Sequence, residues 1–330
     1  MTVLVTGGTG FVGSAVIRAL IERGESVRAM TRAGSDSTLL DGLDVERAHG
    51  DLDEPETLKR AVSGCKALFH VAADYRLWVP KPEQIYRTNV DGTKSLMLAA
   101  AEAGVARIVY TSSVATLGLT GDTRPADETT PSTLADMVGH YKRSKYLAEQ
   151  AVQTLITDEG LPAVIVNPSA PVGPRDIKPT PTGRLVLDLA KGSLPAYVDT
   201  GLNIVHVEDV AAGHLLAFDQ GRIGERYILG GENMRLGEIV DTVAELADVS
   251  PPKLKLPIGP LMPIAHAIEA VWRLTGRKSE PFITVDGLRM ARKLMFFSSA
   301  KAERDLGYHP RPATDAFKDA ITWFGGAATS

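Results

Sequence analysis

Cysteine is nearly absent from this chain: its 330 residues include one, Cys65. A single thiol excludes an intramolecular disulfide framework and a cysteine-rich metal site. It suits a reducing compartment, so a cytoplasmic protein is expected. A surplus of positive charge is also missing. Thirty-six Lys and Arg stand against forty Asp and Glu, a net charge of −4. That excludes the basic footprint of a nucleic-acid binder. No apolar run reaches the ~18 residues of a spanning helix. The seven histidines show neither HxH nor HExxH spacing, so no bound metal is expected. The N-terminus lacks a basic region leading to a small-residue cleavage site, which argues against secretion.

What remains is an ordinary globular composition, 44% apolar and 23% charged. At ~150 residues per domain the length predicts two domains. Strand-like runs occur at Thr2–Thr6, Ser26–Thr31, Val45–His49, Ala67–Ala72, Arg107–Thr111 and Ala163–Asn167. Helical spacing lies between them at Phe11–Arg23, Pro55–Val62, Pro82–Ala103 and Gly139–Asp158. This alternation predicts an α/β fold, a doubly wound parallel sheet with helices on both faces. The rhythm fades after Asn167. Helices are expected at Val207–Gln220, Arg235–Leu246, Leu261–Leu274, Thr284–Leu294 and Ala313–Phe324. The expected organisation is a dinucleotide-binding domain over 1–167 plus about 204–222. A smaller C-terminal α+β substrate domain takes about 168–203 plus 223–330.

Glycine marks the first functional signal. Thr6-Gly7-Gly8-Thr9-Gly10-Phe11-Val12-Gly13 follows the first strand and opens the first helix. A tight strand-to-helix turn and close approach to a pyrophosphate both require a missing Cβ. The phosphates then sit on the helix N-terminus. Gly7, Thr9, Gly10, Phe11, Val12 and Gly13 are therefore cofactor-binding candidates. An NAD site usually has an acid at the end of the second strand, holding the ribose 2′-OH. Here Arg32 stands in that place, with Arg28 on the same strand. A guanidinium can pair with a 2′-phosphate, which favours NADP, with NAD as the alternative. Asp51 and Leu52 follow the third strand on the adenine side. Ala72 and Ala73 follow the fourth, and Pro168 follows Ala163–Asn167; these complete the cofactor set.

Tyr141 and Lys145 are four apart, on one helical face. Thr111-Ser112-Ser113 ends a strand, in the crevice where parallel sheets bind ligands. Hydride transfer to a carbonyl requires a proton for the new alkoxide. Tyr141 can move that proton, and a nearby ammonium favours its phenolate. Ser113 can hold the substrate oxygen, and Lys145 can also bind ribose hydroxyls.

Together these motifs resemble an extended short-chain dehydrogenase/reductase. The glycine loop, Asp51-Leu52, His70–Ala73, Asn89, Thr111–Ser113 and Tyr141–Lys145 match in order, across most of residues 1–170. The resemblance implies the triad Ser113, Tyr141 and Lys145, with Ser112 as runner-up. It implies that Asn89, counted with the catalytic residues, is the structural asparagine beside the active site. It also implies a homodimer through the helix of Tyr141 and the one near Pro82–Ala103. Within that family the chain is similar to the dihydroflavonol-reductase-like branch. Ala73–Trp78, Pro179–Arg184 and Gly287–Tyr308 resemble bacterial hopanoid-associated proteins described as sugar epimerases.

The expected activity is NAD(P)-dependent hydride transfer at a ketone or secondary alcohol of an apolar or sugar-bearing small molecule. The alternatives are an NAD-dependent sugar epimerase and a non-catalytic dinucleotide sensor. One departure bears on the choice. Sugar-nucleotide epimerases of this family carry an arginine at the position of Leu202, and leucine cannot grip a pyrophosphate. Arg184 or Arg175 are candidate substitutes. Dehydratases need acids beside the serine, and Val114 and Ala115 offer none. Tyr75, Trp78, Ser113 and Arg184 are substrate candidates. Asp127, Glu128 and Asp136 read as loop solvation, and His206 and Asp209 as structural. Leu256–Leu274 is apolar over most of its surface, with cations at Arg273, Arg277, Lys278, Arg289, Arg292 and Lys293. It reads as a core helix of the smaller domain, or as a segment resting on an anionic membrane surface.

Overall fold

A computed structural model of the chain describes residues 1–79, 81–277 and 281–327. The first half runs β1 (Thr2–Thr6), α1 (Phe11–Glu22), β2 (Ser26–Thr31), β3 (Val45–His49), α2 (Pro55–Val62), β4 (Ala67–His70) and α3 (Pro82–Tyr86). A π-helical turn, Arg87–Gly92, leads into α4 (Thr93–Glu102) and β5 (Arg107–Thr111). Then come α5 (Gly139–Glu159), β6 (Ala163–Pro168), β7 (Ala170–Val172), α6 (Pro181–Ala190), β8 (Ala196–Val198), β9 (Gly201–His206) and α7 (Val207–Gln220). The remainder is β10 (Arg226–Leu229), β11 (Glu232–Arg235), α8 (Leu236–Leu246), β12 (Leu254–Leu256), α9 (Ile258–Leu274), α10 (Val285–Ala291), β13 (Leu294–Met295), α11 (Ala300–Leu306) and α12 (Ala313–Ala327).

Seven parallel strands form the main sheet in the order β10-β6-β5-β4-β1-β2-β3. The order reverses between β1 and β4, which opens a crevice at their C-terminal ends. Both faces are covered, so successive side chains enter two separate cores. Val3 and Val5 join the cluster of Val16, Ile17, Val210 and Tyr227 on the side of α1 and α7. Leu4 joins Leu58, Leu96, Tyr110 and Val152 on the side of α2, α4 and α5. A one-residue slip of β1 would therefore reverse both cores.

Sequence and structure part at several places. β10 lies in the main sheet beside β6, although 223–330 was expected in the substrate domain. Glu128 is the physical reason. Its buried carboxylate accepts the Ile228 N–H at 2.8 Å, and its carbonyl accepts from Arg226. It is thus an anchor for β10 rather than loop solvation. Arg226 also pairs with buried Glu149 at 3.0 Å. The expected continuous helix Pro82–Ala103 is broken by the π turn. β7, β9, β11 and β13 form a second sheet, packed around α6, α8 and α12. His206 caps α7 and meets Asp319, and Asp209 holds Arg311, so both are structural. Lys278 lies outside the described residues. The largest departure is α9, in which Ala265 alone is buried. It is not a core helix.

Candidate functional site

The crevice is built where β1, β4 and β5 end. After β1 the chain turns through Gly7, at φ +72°. A Cβ there would sit 2.8 Å from the backbone of Ala72. A Cβ on Gly13 would collide with the Gly7 carbonyl. No larger residue keeps loop and helix this close. Gly10 caps α1 without a side-chain bond, and no acid stands in the first turn. The first N–H groups and the positive end of the helix dipole are thus available to an anion.

Thr6 joins the two sides of the crevice. Its hydroxyl receives the N–H groups of Val71 and Ala72, both at 3.1 Å, and meets His70 Nδ1 at 2.8 Å. His70 Nε2 meets Thr93 at 2.9 Å. The ring is fully buried, and burial pushes its pKa down to about 3. Leu52 is buried under Gly92, where a Cβ would press on it at 2.7 Å. The Asp51 carboxylate accepts the Asp53 N–H at 3.0 Å.

Arg32 follows β2 on the surface and makes no ion pair among the described residues. Arg28 does otherwise. Its guanidinium holds Glu46 at 2.9 Å and the carbonyls of Ala61 and Ser63. It is spent on joining β2 to β3 and to the turn before β4, away from the crevice. Free donors at the start of α1, the Gly7–Ala72 contact and unpaired Arg32 together fit a dinucleotide phosphate chain. Ser112 and Ser169 add buried hydroxyls with no protein partner, one after β5 and one after Pro168 of β6.

The triad candidates come together at the end of β5 and the start of α5. The Ser113 hydroxyl accepts the Ala115 N–H at 3.1 Å. Its carbonyl receives Asn167 Nδ2 at 3.0 Å, which fixes the residue. The Ser113 side chain also hydrogen-bonds Tyr141, an influence that lowers the phenol pKa; burial outweighs it, and the net direction is up. The expected neighbour of the phenol, the Lys145 ammonium, has its hydrogen bond elsewhere. Lys145 Nζ instead donates to the Thr111 carbonyl at 2.8 Å and lies 4.9 Å from the Tyr110 ring centroid. Burial brings its pKa down to about 8, with Glu149 opposing the shift.

Asn89 sits inside the π turn and is buried. Its amide nitrogen donates to the Asp74 carbonyl at 2.8 Å and to Ser144 at 2.9 Å; its oxygen accepts the Asp74 N–H at 2.7 Å. Ser144 in turn donates to the Tyr141 carbonyl at 2.8 Å. Both amide hydrogens are used, so Asn89 clamps the loop after β4 to the helix of Tyr141. It positions the site and holds no reacting atom.

Arg184, Tyr75 and Trp78 line no part of the cavity described below. Arg184 points to solvent and pairs with Asp188 at 2.9 Å. Arg175, its proposed stand-in, pairs with Glu208 at 2.7 Å. Tyr75 is 48% exposed, and Trp78 lies under the Arg273 guanidinium at 5.8 Å. A cavity of about 490 Å³ is lined by Val114, Ala115 and Lys142, chain neighbours of Ser113 and Tyr141, though no triad residue lines it. Val114, Leu117, Met137, Met290, Met295 and Phe297 supply apolar parts of its wall, Asp136, Asp199, Arg235, Arg292 and Lys293 supply charged ones, and neither Tyr75 nor Trp78 lines it. Lys142, beside Tyr141, also lines it and approaches Met295 Sδ at 3.7 Å. Burial and Lys293 bring the Lys142 pKa down to about 8. Sequence reasoning missed this lysine, because nothing in a helical pattern says which residue beside the tyrosine turns inward.

The family model described as NAD dependent epimerase/dehydratase matches residues 3–230. The chain belongs to that family. It is an extended short-chain dehydrogenase/reductase, an NAD(P)-dependent enzyme. A Synechocystis protein provisionally named dihydroflavonol 4-reductase is 44% identical, over 97% of this chain and 93% of its own length. The sterol demethylase protein B of Methylococcus capsulatus is 37% identical, over 98% of both chains. The crystal structure of gox2253 shares 58% identity and superposes with a TM-score of 0.89, covering 99% of this chain and 98% of that one. The seven-stranded fold, with its C-terminal addition, is thus that of the extended family.

Proposed function

We propose that this enzyme reduces a ketone on an apolar small molecule, using NADPH. The observation that carries the reading is the Tyr141 phenol set beside Ser113 at the end of β5, where two hydroxyls can meet one substrate oxygen. A phenol that holds its proton is prepared to give it to an oxygen that gains charge. The donor end of α1, Gly7, Gly13 and Arg32 hold the dinucleotide, with Arg32 on the 2′-phosphate. A dinucleotide held there would supply a hydride for a carbonyl carbon. Ser113 accepts from Ala115 and so directs its own hydrogen to the substrate oxygen. Tyr141 transfers its proton to that same oxygen, which completes the alcohol. Lys145, anchored on Thr111, binds ribose and carries the charge that steadies the phenolate left behind. The cavity beside Val114 and Met295 receives the substrate.

Relatives named for a dihydroflavonol and a sterol support an apolar carbonyl compound. Leu202 argues against a sugar nucleotide, and Arg184 and Arg175, the substitutes considered for it, are each paired with a carboxylate. Buried, unpaired Cys65 supports a cytoplasmic setting. The family resemblance supports a homodimer through α5 and α4. Dinucleotide analysis of the purified enzyme tests the central reading. NADPH that dissociates freely, with NADH binding about tenfold more weakly, is expected. Tightly held NAD that resists exchange overturns it in favour of epimerisation.

A further inference from the structure

The least explained part of the molecule is α9. One side of it, Ile258, Leu261, Met262 and Ala265, packs on Ile283, Val285 and Leu288. The other side presents Pro260, Ile264, Ala267, Val271 and Leu274, all exposed. These recur at intervals of three and four, so they form one stripe along the helix. Ile264 is 50% exposed, Val271 49% and Leu274 87%; Phe282, just beyond, is 85% exposed. A contiguous apolar strip of this kind marks a contact surface.

Charge decides what it contacts. From Val249 to Arg277 the chain has four cations and one acid, Glu269; Lys255 pairs with Asp199 at 3.0 Å and Arg273 with Glu269, which leaves Lys253 and Arg277 without a carboxylate partner among the described residues. Glu269 turns inward, where it accepts the Val285 N–H at 2.8 Å and meets Arg273 at 3.4 Å. A second copy of the chain would bring the same cations against themselves across a two-fold interface. An anionic bilayer surface complements both features, taking the stripe among its acyl chains and the cations among its headgroups. The chain also ties this helix to the reaction cleft. Arg273 stacks on Trp78 in the loop after β4. α10, which packs on α9, ends at Met290 and Ala291 in the cavity wall.

We propose that the outward face of α9 docks on an anionic membrane surface and places the cleft close to a lipid-dissolved substrate. Sedimentation of the full chain with vesicles tests it. Vesicles of mixed phosphatidylglycerol and phosphatidylcholine should carry down at least tenfold more protein than phosphatidylcholine alone. Salt should weaken that binding. The triple variant Ile264→Ser, Val271→Ser, Leu274→Ser should lose it. Arg277→Gln with Lys253→Gln should lose most of the salt-sensitive part. Circular dichroism and NADPH titration of each variant establish that the fold is intact. No binding to anionic vesicles, equal binding to neutral ones, or binding indifferent to the triple variant would overturn the proposal. So would a triple variant that changes only sedimentation mass, which would make the stripe a contact between copies. NADPH selectivity is measured separately, so failure here leaves the reductase reading standing.

Discussion

α1 and α9 are both strongly apolar helices, yet they meet opposite fates. α1 buries Val16, Ile17 and Leu20 between the sheet and α7. α9 is longer, at 17 residues, and buries Ala265 alone. Amphipathic composition therefore states that a helix needs a partner, not which partner the chain provides. α1 follows β1 by five residues and must pack back on the sheet. α9 follows a proline-rich loop, carries Pro263 within it, and is offered a single short helix.

Removing function from the committed half should have the largest effect. Tyr141→Phe is expected to lower kcat by about 10³-fold while NADPH affinity stays within twofold, in steady-state and binding measurements. Retained turnover would place the chemistry elsewhere. Next comes the packing contrast itself. Ile17→Ala in α1 should cost about 3–4 kcal/mol in urea unfolding, since the cavity it leaves cannot collapse against the sheet. Arg32→Ala should weaken NADPH about tenfold, or about 1.4 kcal/mol, and leave NADH unchanged. An unchanged ratio would show that Arg32 does not read the 2′-phosphate. Ile264→Ala in α9 should change stability by less than about 0.5 kcal/mol. A loss comparable with that of Ile17→Ala would mean that α9 is covered in the folded protein, and the contrast would fail.

Legibility follows the same division. The strands Thr2–Thr6, Ser26–Thr31, Val45–His49 and Arg107–Thr111 stand as their residue patterns predict. Central strands such as Thr2–Thr6 and Arg107–Thr111 are buried on both faces and so carry apolar runs, whereas the edge strand Val45–His49 is largely exposed and is marked by its place in the alternation. Gly7 and Gly13 were legible because backbone proximity leaves no other residue possible there. The π turn was not. It exists so that Asn89 can reach Asp74 and Ser144 at once, and hydrophobic spacing carries no trace of a polar bond across 55 residues. β10 escaped notice because its place depends on Glu128, a charged residue in a loop. The hydrogen bond of Lys145 was not legible for a related reason. Four residues on a helix bring a lysine near, but only the fold directs its ammonium to the Thr111 carbonyl.

His70 carries one more consequence. It links Thr6 to Thr93 at the mouth of the crevice, and its ring stays neutral until about pH 3. His214, buried against Thr111, behaves alike to about pH 4. An unfolded chain takes up protons at both near pH 6.5, and the native one refuses them. As pH falls from 6.5 towards 3, acid therefore favours the unfolded chain progressively. The two buried imidazoles thus make the fold progressively less stable as pH falls from 6.5 towards 3, and near neutral pH both stay uncharged.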